Sequence, residues 1–429
     1  MKRVMQAVMF ILIVVGLSWG QVHSKAYVMN GLAETLDLIN LQTGVVTPNV
    51  EPLGLYPNQI IYHGRHLIVV NSGYNNLQVI DATSLNTTGT VEFGANHNPY
   101  NICTLADGRV AVSQLVDNSV SIVNVDSMRE EASIPVGTGP EGVIQDGSEL
   151  FVAITNYVGG YQPGRVDVIN LSSHQVTDHI AVGINPQWIG LGQDGNLQVL
   201  CTGDYATIWG KVYVVNPSTH QVVDTVAVGS SPGSWAMMTS GIAYLGVSMW
   251  GGGGYLLAYN TVSHQVLHSE SNPLNVGGGV MGLVAGEDSR LYICVTENDR
   301  VKVMDATESI IATYNVGDGP QSIALSPPIE SAPPHVNVVP RQVYLEQNYP
   351  NPFNSVTIIP YRLPDGMVTS HLEIVNLMGQ QVRRISVSGD GMAVWDGKNQ
   401  NGVAVGAGVY WVRLSGVEGL RPIRAVYLP

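Results

Sequence analysis

The stretch Lys211-Val-Tyr-Val-Val-Asn216-Pro-Ser-Thr-His220-Gln-Val-Val-Asp224-Thr-Val-Ala-Val-Gly229-Ser-Ser-Pro232 decides the fold of this 429-residue chain. Two runs rich in β-branched residues, Val212 to Val215 and Val222 to Val228, flank a polar turn, the pattern of two paired strands. Gly229 and Pro232 then punctuate the chain before another apolar run begins.

This pattern recurs. Strand-like runs end in Asn40, Asp81, Asn124, Asn170, Asn216, Asn260 and Asp305, at steps of 41, 43, 46, 46, 44 and 45 residues. A Gly-x-x-Pro precedes an apolar run at Gly54 to Pro57, Gly137 to Pro140, Gly183 to Pro186, Gly229 to Pro232 and Gly317 to Pro320. Gly94 to Pro99 carries two extra residues, and Gly277-Gly-Gly-Val280 replaces the proline. Between the landmarks, His63-Gly64, Asp107-Gly108, Asp146-Gly147, Asp194-Gly195 and Ser240-Gly241 read as hairpin turns. A period of about 40 to 46 residues that holds four short strands predicts a propeller blade. The repeat opens on a second strand, at Lys25, and ends on a lone first strand, Pro320 to Ser326. Pairing the last strand with the first three completes a seventh unit and closes the ring, which removes open sheet edges.

Composition agrees. The chain is only 12% charged and holds 48 Gly and 23 Pro, which excludes coiled coils and helical bundles, while 45% apolar residues exclude a disordered chain. A net charge of −14 argues against nucleic acid as a partner. Lys2 and Arg3, the apolar run Val4 to Leu17 and the small residues Ser18 and Gly20 read as a signal peptide over residues 1–20. Its removal leaves 17 basic against 33 acidic residues, a charge of −16. No later run is apolar enough for a helical span, so no transmembrane anchor is expected. Cys103, Cys201 and Cys294 lie in separate apolar runs and read as buried thiols.

Ala26-Tyr-Val-Met-Asn30, Leu77-Gln-Val-Ile-Asp81, Lys211-Val-Tyr-Val-Val-Asn216 and Val223-Asp-Thr-Val-Ala-Val-Gly229 resemble the YVTN-type β-propeller repeat, over residues 25–326. The resemblance implies an all-β, seven-bladed β-propeller. Family members range from surface-layer proteins to binding proteins and relatives of oxidoreductase subunits, so it speaks to fold more than to function. A Pro-rich linker, 327–344, follows. Beyond it come Tyr349, Pro350, Asn351, Pro352, Phe353 and Asn354, then Leu372 to Gly379, Val394-Trp-Asp-Gly397 and Gly408-Val-Tyr-Trp-Val-Arg413. Residues 345–429 resemble the Ig-like C-terminal sorting domain of type IX secretion cargo. Ser355, Pro360 and the final Tyr427-Leu-Pro depart from that family's pattern. The resemblance implies that this domain engages the type IX secretion machinery, and that the mature protein is secreted or attached to the outer cell surface after crossing both membranes.

The chemistry-bearing residues are sparse. His174, His220 and His264 recur four residues after the landmark Asn. Four strands spaced about 4.8 Å apart put them roughly 17 Å from one another, too far to share a metal. His63-Gly-Arg-His66 spans a hairpin turn, which splays its two rings. The runs Gly251 to Gly254 and Gly277 to Gly279 open no helix, so they lack a phosphate loop's donors. Asp396 to Gly402 lacks calcium-loop oxygens and reads as a hairpin. No metal and no cofactor is expected.

A ligand would meet the loop-rich face. The residues after each landmark proline form an inner ring of Asn58, Gln59, Tyr100, Asn101, Glu141, Gln187, Trp188, Gln321 and Ser322. Longer loops add Tyr74, Tyr157, Tyr161, Tyr205, Trp209 and Trp250. Aromatics mixed with amides suit stacking and hydrogen bonding, so the first reading is a monomeric, non-catalytic propeller binding a glycan, peptide or partner protein. The alternative is a hydrolase or lyase centred on Glu141, with Asp117, Glu297, Asp299, Asp318 or His97 assisting. A structural surface protein, whose ring residues only pack loops together, is the second alternative.

Overall fold

A computed structural model describes residues 21–249, 252–330, 343–363, 369–388, 391–417 and 420–429. The expected signal peptide, Trp250 and residues 331–342 of the expected linker lie outside the described residues. The chain divides into two compact units, Met1–Ser331 and Ala332–Pro429.

The first unit is built from repeated four-stranded antiparallel sheets, all but one of them a meander of consecutive strands. Sheet 2 is typical, with Pro57–His63, His66–Asn71, Asn76–Asp81 and Thr87–Glu92 in spatial order. Sheets 3 to 7 start from Pro99–Thr104, Pro140–Asp146, Pro186–Leu191, Ser234–Met237 and Val280–Ala285. Sheet 1 differs in origin: Pro320–Leu325 pairs with Lys25–Asn30, ahead of Thr35–Asn40 and Val46–Pro52. The short strands Gln21–His23 and Pro328–Glu330 extend that junction as a separate pair.

Each sequence landmark has a physical task. The Oδ1 atoms of Asn40, Asp81, Asn170, Asn216 and Asn260 each accept the N–H groups two and three residues on, turning the chain toward the fourth strand. Glycine of the Gly-x-x-Pro is demanded by close approach: a Cβ on Gly317 would meet Asn30 Nδ2 at 2.5 Å, and its N–H donates to the buried Asp37 carboxylate at 2.7 Å. Gly137 and Gly54 make the same bond to Asp167 and Gln78 of their own sheets.

Neighbouring sheets are joined by apolar seams. Ile68 and Val70 of sheet 2 pack with Val110 and Val112 of sheet 3, and similar clusters fill each later junction. Tyr292, Cys294 and Val301 of sheet 7 pack in the same way against Ala26, Val28 and Ile323 of sheet 1. At roughly 1.5–3 kcal/mol per fully buried Val, Leu or Ile, these seams dominate the stability. Hydroxyls latch them. Ser72, Thr202 and Thr296, each just past a second strand, donate to the carbonyls of Pro99, Pro232 and Pro320 in the next sheet. The three cysteines are free, and burial pushes the thiols of Cys103 and Cys201 up to about 12.

The repeated histidines join sheets from the outside. His220, in sheet 5, bridges Asp178 Oδ2 (2.8 Å) and Glu149 Oε2 (3.2 Å) of sheet 4. His264 of sheet 6 repeats the bridge to Asp224 (2.6 Å) and Asp194 (3.4 Å) of sheet 5. In the next seam the roles are exchanged: Glu308 takes the turn position and bonds His268 and Tyr244 of sheet 6. Ala132 stands in sheet 3 where Asp178 and Asp224 stand in their sheets, so His174 meets no matching acid.

The second unit has two sheets over one core. Tyr344–Leu345, Thr357–Arg362 and Gly391–Trp395 form the first; Gln381–Ser388, Thr369–Val375, Gly408–Leu414 and Ile423–Tyr427 form the second, in that order. Phe353 lies in the core, 5.2 Å from the Trp395 ring and 4.9 Å from that of Tyr427. Asn351 bonds the last strand twice, through Arg424 O and Val426 N. The carbonyl of Pro350 accepts from Thr357, while Tyr349, Pro352 and Asn354 are exposed. Among the described residues no helix is long and apolar enough to cross a membrane.

The His220 bridge carries a pH signature. Burial alone would lower its pKa, but the hydrogen bonds to Asp178 and Glu149 outweigh burial and raise it above 6.5. The bridge therefore contributes fully below about pH 6.5 and loses its contribution as pH climbs through the raised value. Calorimetry should find that the melting-temperature lead of the native chain over His220→Gln is larger at about pH 6 than at about pH 9. A lead that stays flat or grows with pH would contradict the assignment.

Candidate functional site

What each first strand presents is set at its start. The residue before the landmark proline takes positive φ in five sheets: Tyr56, Asn98, Gly139, Asn185 and Gly319. The ladder then slips, between Pro57 and Gln59, Pro140 and Val143, and Pro186 and Trp188. Such bulges re-aim the side chain that follows the proline.

The sequence-derived candidates fall into separate groups. Asn58, Gln59, Tyr100, Asn101, Trp188 and Gln321 line a cavity of about 400 Å³ bounded by the first strands. Several of their polar atoms already bond to other protein groups, four of them between sheets. Gln321 donates to Asn58 Oδ1 at 3.4 Å, Asn58 donates to Ser72, and Gln59 accepts from Ile102 N at 2.8 Å. Trp188 Nε1 donates to Gly233 O at 2.9 Å, and the Gln187 amide lies 2.7 Å from the Thr202 hydroxyl of its own sheet. The Gln321–Asn58, Gln59–Ile102 and Trp188–Gly233 bonds join neighbouring sheets, while Asn58–Ser72 and Gln187–Thr202 lie within one.

Glu141 stands apart. With Tyr157 and Tyr161 it lines a second cavity, of about 420 Å³, spanning sheets 3, 4 and 5. Glu141 is 7% exposed, and its Oε2 has no hydrogen-bond partner in the protein. Burial pushes its carboxyl from the ordinary 4.5 up to about 8, against the opposing pull of the Gln187 amide beside it. That rise corresponds to roughly 5 kcal/mol in favour of the neutral acid. Tyr157 and Tyr161 meet edge to face at 5.1 Å, and Tyr161 lies 5.8 Å from Tyr205. The Tyr100 hydroxyl is raised chiefly by Glu141; those of Tyr161 and Tyr205 are raised chiefly by burial. All three therefore stay neutral donors at physiological pH.

Asn185, which shares this cavity with Glu141, is the residue that sequence reading passes over. It is 1% exposed, lines the same cavity, and neither Oδ1 nor Nδ2 has a partner in the protein. An Asn before proline reads as a turn residue, because Asn tolerates positive φ, here 58°. The one available signal is that the equivalent place holds Gly in two other sheets.

The remaining candidates lie elsewhere. Trp209 is half exposed and lines a different cavity with Lys211, Gly229 and Glu270. Tyr74 is exposed. Asp117 faces His97 at 3.9 Å, Glu297 accepts from Gly253 N, and Asp299 accepts from Gly319 N at 3.0 Å. None of these acids, nor Asp318, lines the Glu141 cavity. Among the described residues no group of three His, Cys, Asp or Glu is arranged to hold a metal ion.

No family model and no curated protein matches the chain. Solved structures do. The chain is similar to a chain of Kuenenia stuttgartiensis hydrazine synthase, at 20% identity over 63% of this chain and 90% of that one, with a TM-score of 0.55. It is similar to a streptogramin B lyase at 11% identity over 62% and 86%, TM-score 0.51. The β-propeller domain of Cps50 (Swd1) from Myceliophteria thermophila is similar at 13% identity over 67% and 99%, TM-score 0.50. At these identities the likeness establishes the fold alone: the repeated four-stranded sheets are a β-propeller.

Proposed function

We propose that the first unit is a seven-bladed propeller, closed between sheets 7 and 1, which binds a glycan, peptide or partner protein in the Glu141 cavity. Three features support the ring. Pro320–Leu325 pairs with Lys25–Asn30, the first strand of sheet 1 touches those of sheets 7 and 2, and Thr296 latches Pro320 as Thr202 latches Pro232. One observation carries the binding reading: two buried side chains, Glu141 and Asn185, turn unpartnered polar atoms on a cavity walled by tyrosines. Leaving such atoms unpaired costs roughly 1–3 kcal/mol each, which a hydrogen-bonding ligand recovers.

A second reading, an extracellular hydrolase or lyase, draws on the proton that Glu141 keeps near neutral pH, as a general acid requires. No second carboxylate lines the cavity, so binding is the better reading.

The second unit is an Ig-like type IX sorting domain in this proposal, and residues 1–20 a signal peptide, which places the mature protein outside the cell. The support is the resemblance of residues 345–429 and the part of Phe353 and Asn351 in joining the motif to the core and the last strand.

Glycan and peptide arrays probed with the mature full chain test the binding. Tyr157→Ala and Tyr161→Ala should each weaken capture by about tenfold, while Trp209→Ala leaves it unchanged. Capture that depends on Trp209 and ignores both tyrosines would overturn the site, and array ligands cleaved in a Glu141-dependent manner would shift the reading to the enzyme. Cell fractionation tests the route: a chain lacking residues 345–429 should stay in the periplasm, and its appearance outside the cell at native levels would remove the sorting role.

A further inference from the structure

We infer that the Glu141 cavity takes a neutral sugar ring, whose hydroxyls bond the Glu141 carboxyl and the Asn185 amide while the ring lies against Tyr157 and Tyr161. The inference rests on the binding reading above and names its ligand class.

Size admits such a ligand. About 420 Å³ falls within the roughly 300–1,000 Å³ of small-molecule sites.

Charge narrows the choice. No Lys, Arg or His lines the cavity, so a uronate, sulfate or phosphate would be buried with no cation to pair it. A cationic ligand would need an ionised Glu141, and the environment favours the neutral acid.

Hydrogen-bond valence narrows it further. Three buried atoms await partners: Glu141 Oε2, Asn185 Oδ1 and Asn185 Nδ2. The amide supplies both donors and an acceptor, and a protonated carboxyl can also do both. A carboxylate ligand accepts only and an ammonium donates only, so either would leave atoms of the wrong polarity unpaired. Hydroxyl groups do both. An apolar ligand would satisfy none of the three.

Shape separates sugar from peptide. A peptide spaces its donors and acceptors along an extended chain, about 3.3 Å per residue, and gains most by lying along a groove or sheet edge. The three unpartnered atoms lie instead on two side chains that line one compact cavity, one from sheet 4 and one from the turn that leads into sheet 5. A pyranose presents several hydroxyls on one small ring, with an apolar C–H face for the tyrosine rings.

Saturation-transfer NMR on the mature full chain tests the inference with four probes: methyl glucoside, methyl mannoside, glucuronate and trialanine. At least one methyl glycoside should receive saturation, and glucuronate should bind at least about tenfold more weakly. Asn185→Gly, which keeps the positive-φ backbone while deleting the amide, should abolish the glycoside signal. Tyr157→Ala, at a half-exposed position where folding is not at stake, should reduce it by at least about threefold. Equal glucuronate binding, or a glycoside signal that survives both substitutions, would overturn the inference. Trialanine binding alone, lost in Asn185→Gly, would overturn the sugar while leaving the binding function standing. Silence from all four probes, with no capture on the arrays, would remove both.

Discussion

The arrangement of the first unit hangs on one strand pairing. Ala26 to Asn30 meets Leu325 to Pro320 across nearly the whole length of the repeat, from Ala26↔Leu325 to Asn30↔Pro320. Bringing such distant segments together costs loop-closure entropy, but that cost grows only logarithmically with length. The returns are large by comparison: a four-stranded sheet, the apolar seam of Tyr292 and Cys294 against Val28 and Ile323, and the Thr296 latch. Both edges of an open array would otherwise be exposed to other chains. In the proposed ring, every first strand has a neighbour on each side, and the bulged residues after the prolines face common ground.

That geometry explains why one ring position differs from the rest. Gln321 pairs with Asn58 across sheets 1 and 2, and Gln59 with Ile102 across sheets 2 and 3, so these amides are taken up in holding the sheets. Glu141 has no equivalent partner for Oε2, and the long Thr155 to Pro163 loop covers it with tyrosines. The outcome is a buried acid that prefers to be neutral, in one cavity with a buried amide whose two polar atoms also lack hydrogen-bond partners. Stability is sacrificed there: as pH rises from 4.5 toward 8 the unfolded chain releases a proton that the folded chain keeps, and the folded state loses ground by up to roughly 5 kcal/mol. A ligand that uses the neutral acid would offset part of that cost.

Much of the fold was legible because its repeats are made of residues with narrow physical roles. An Asn or Asp that caps the next two N–H groups, and a Gly that admits the Asn30 or Asn71 side chain against its Cα, leave few substitutes. Histidine 174, 220 and 264 look alike in sequence, yet only the latter two bridge acids, because Ala132 replaces the acid that His174 would meet. The site was half legible. Glu141 stood out as the one acid of the inner ring, and Tyr157 and Tyr161 as loop aromatics. Asn185 was hidden behind its backbone role, and the separation of the Glu141 cavity from the amides is a matter of tertiary packing, which local sequence does not express.

The protonation state of Glu141 is the most direct check on the site. Infrared difference spectra of the native chain minus Glu141→Gln, recorded as pH is raised, isolate the carbonyl stretch of this one carboxyl. The expected result is a protonated acid that persists through neutral pH and titrates near 8. A carboxylate already ionised at about pH 6, titrating near the ordinary value for glutamate, would contradict the buried, neutral, ligand-facing acid on which the functional reading stands.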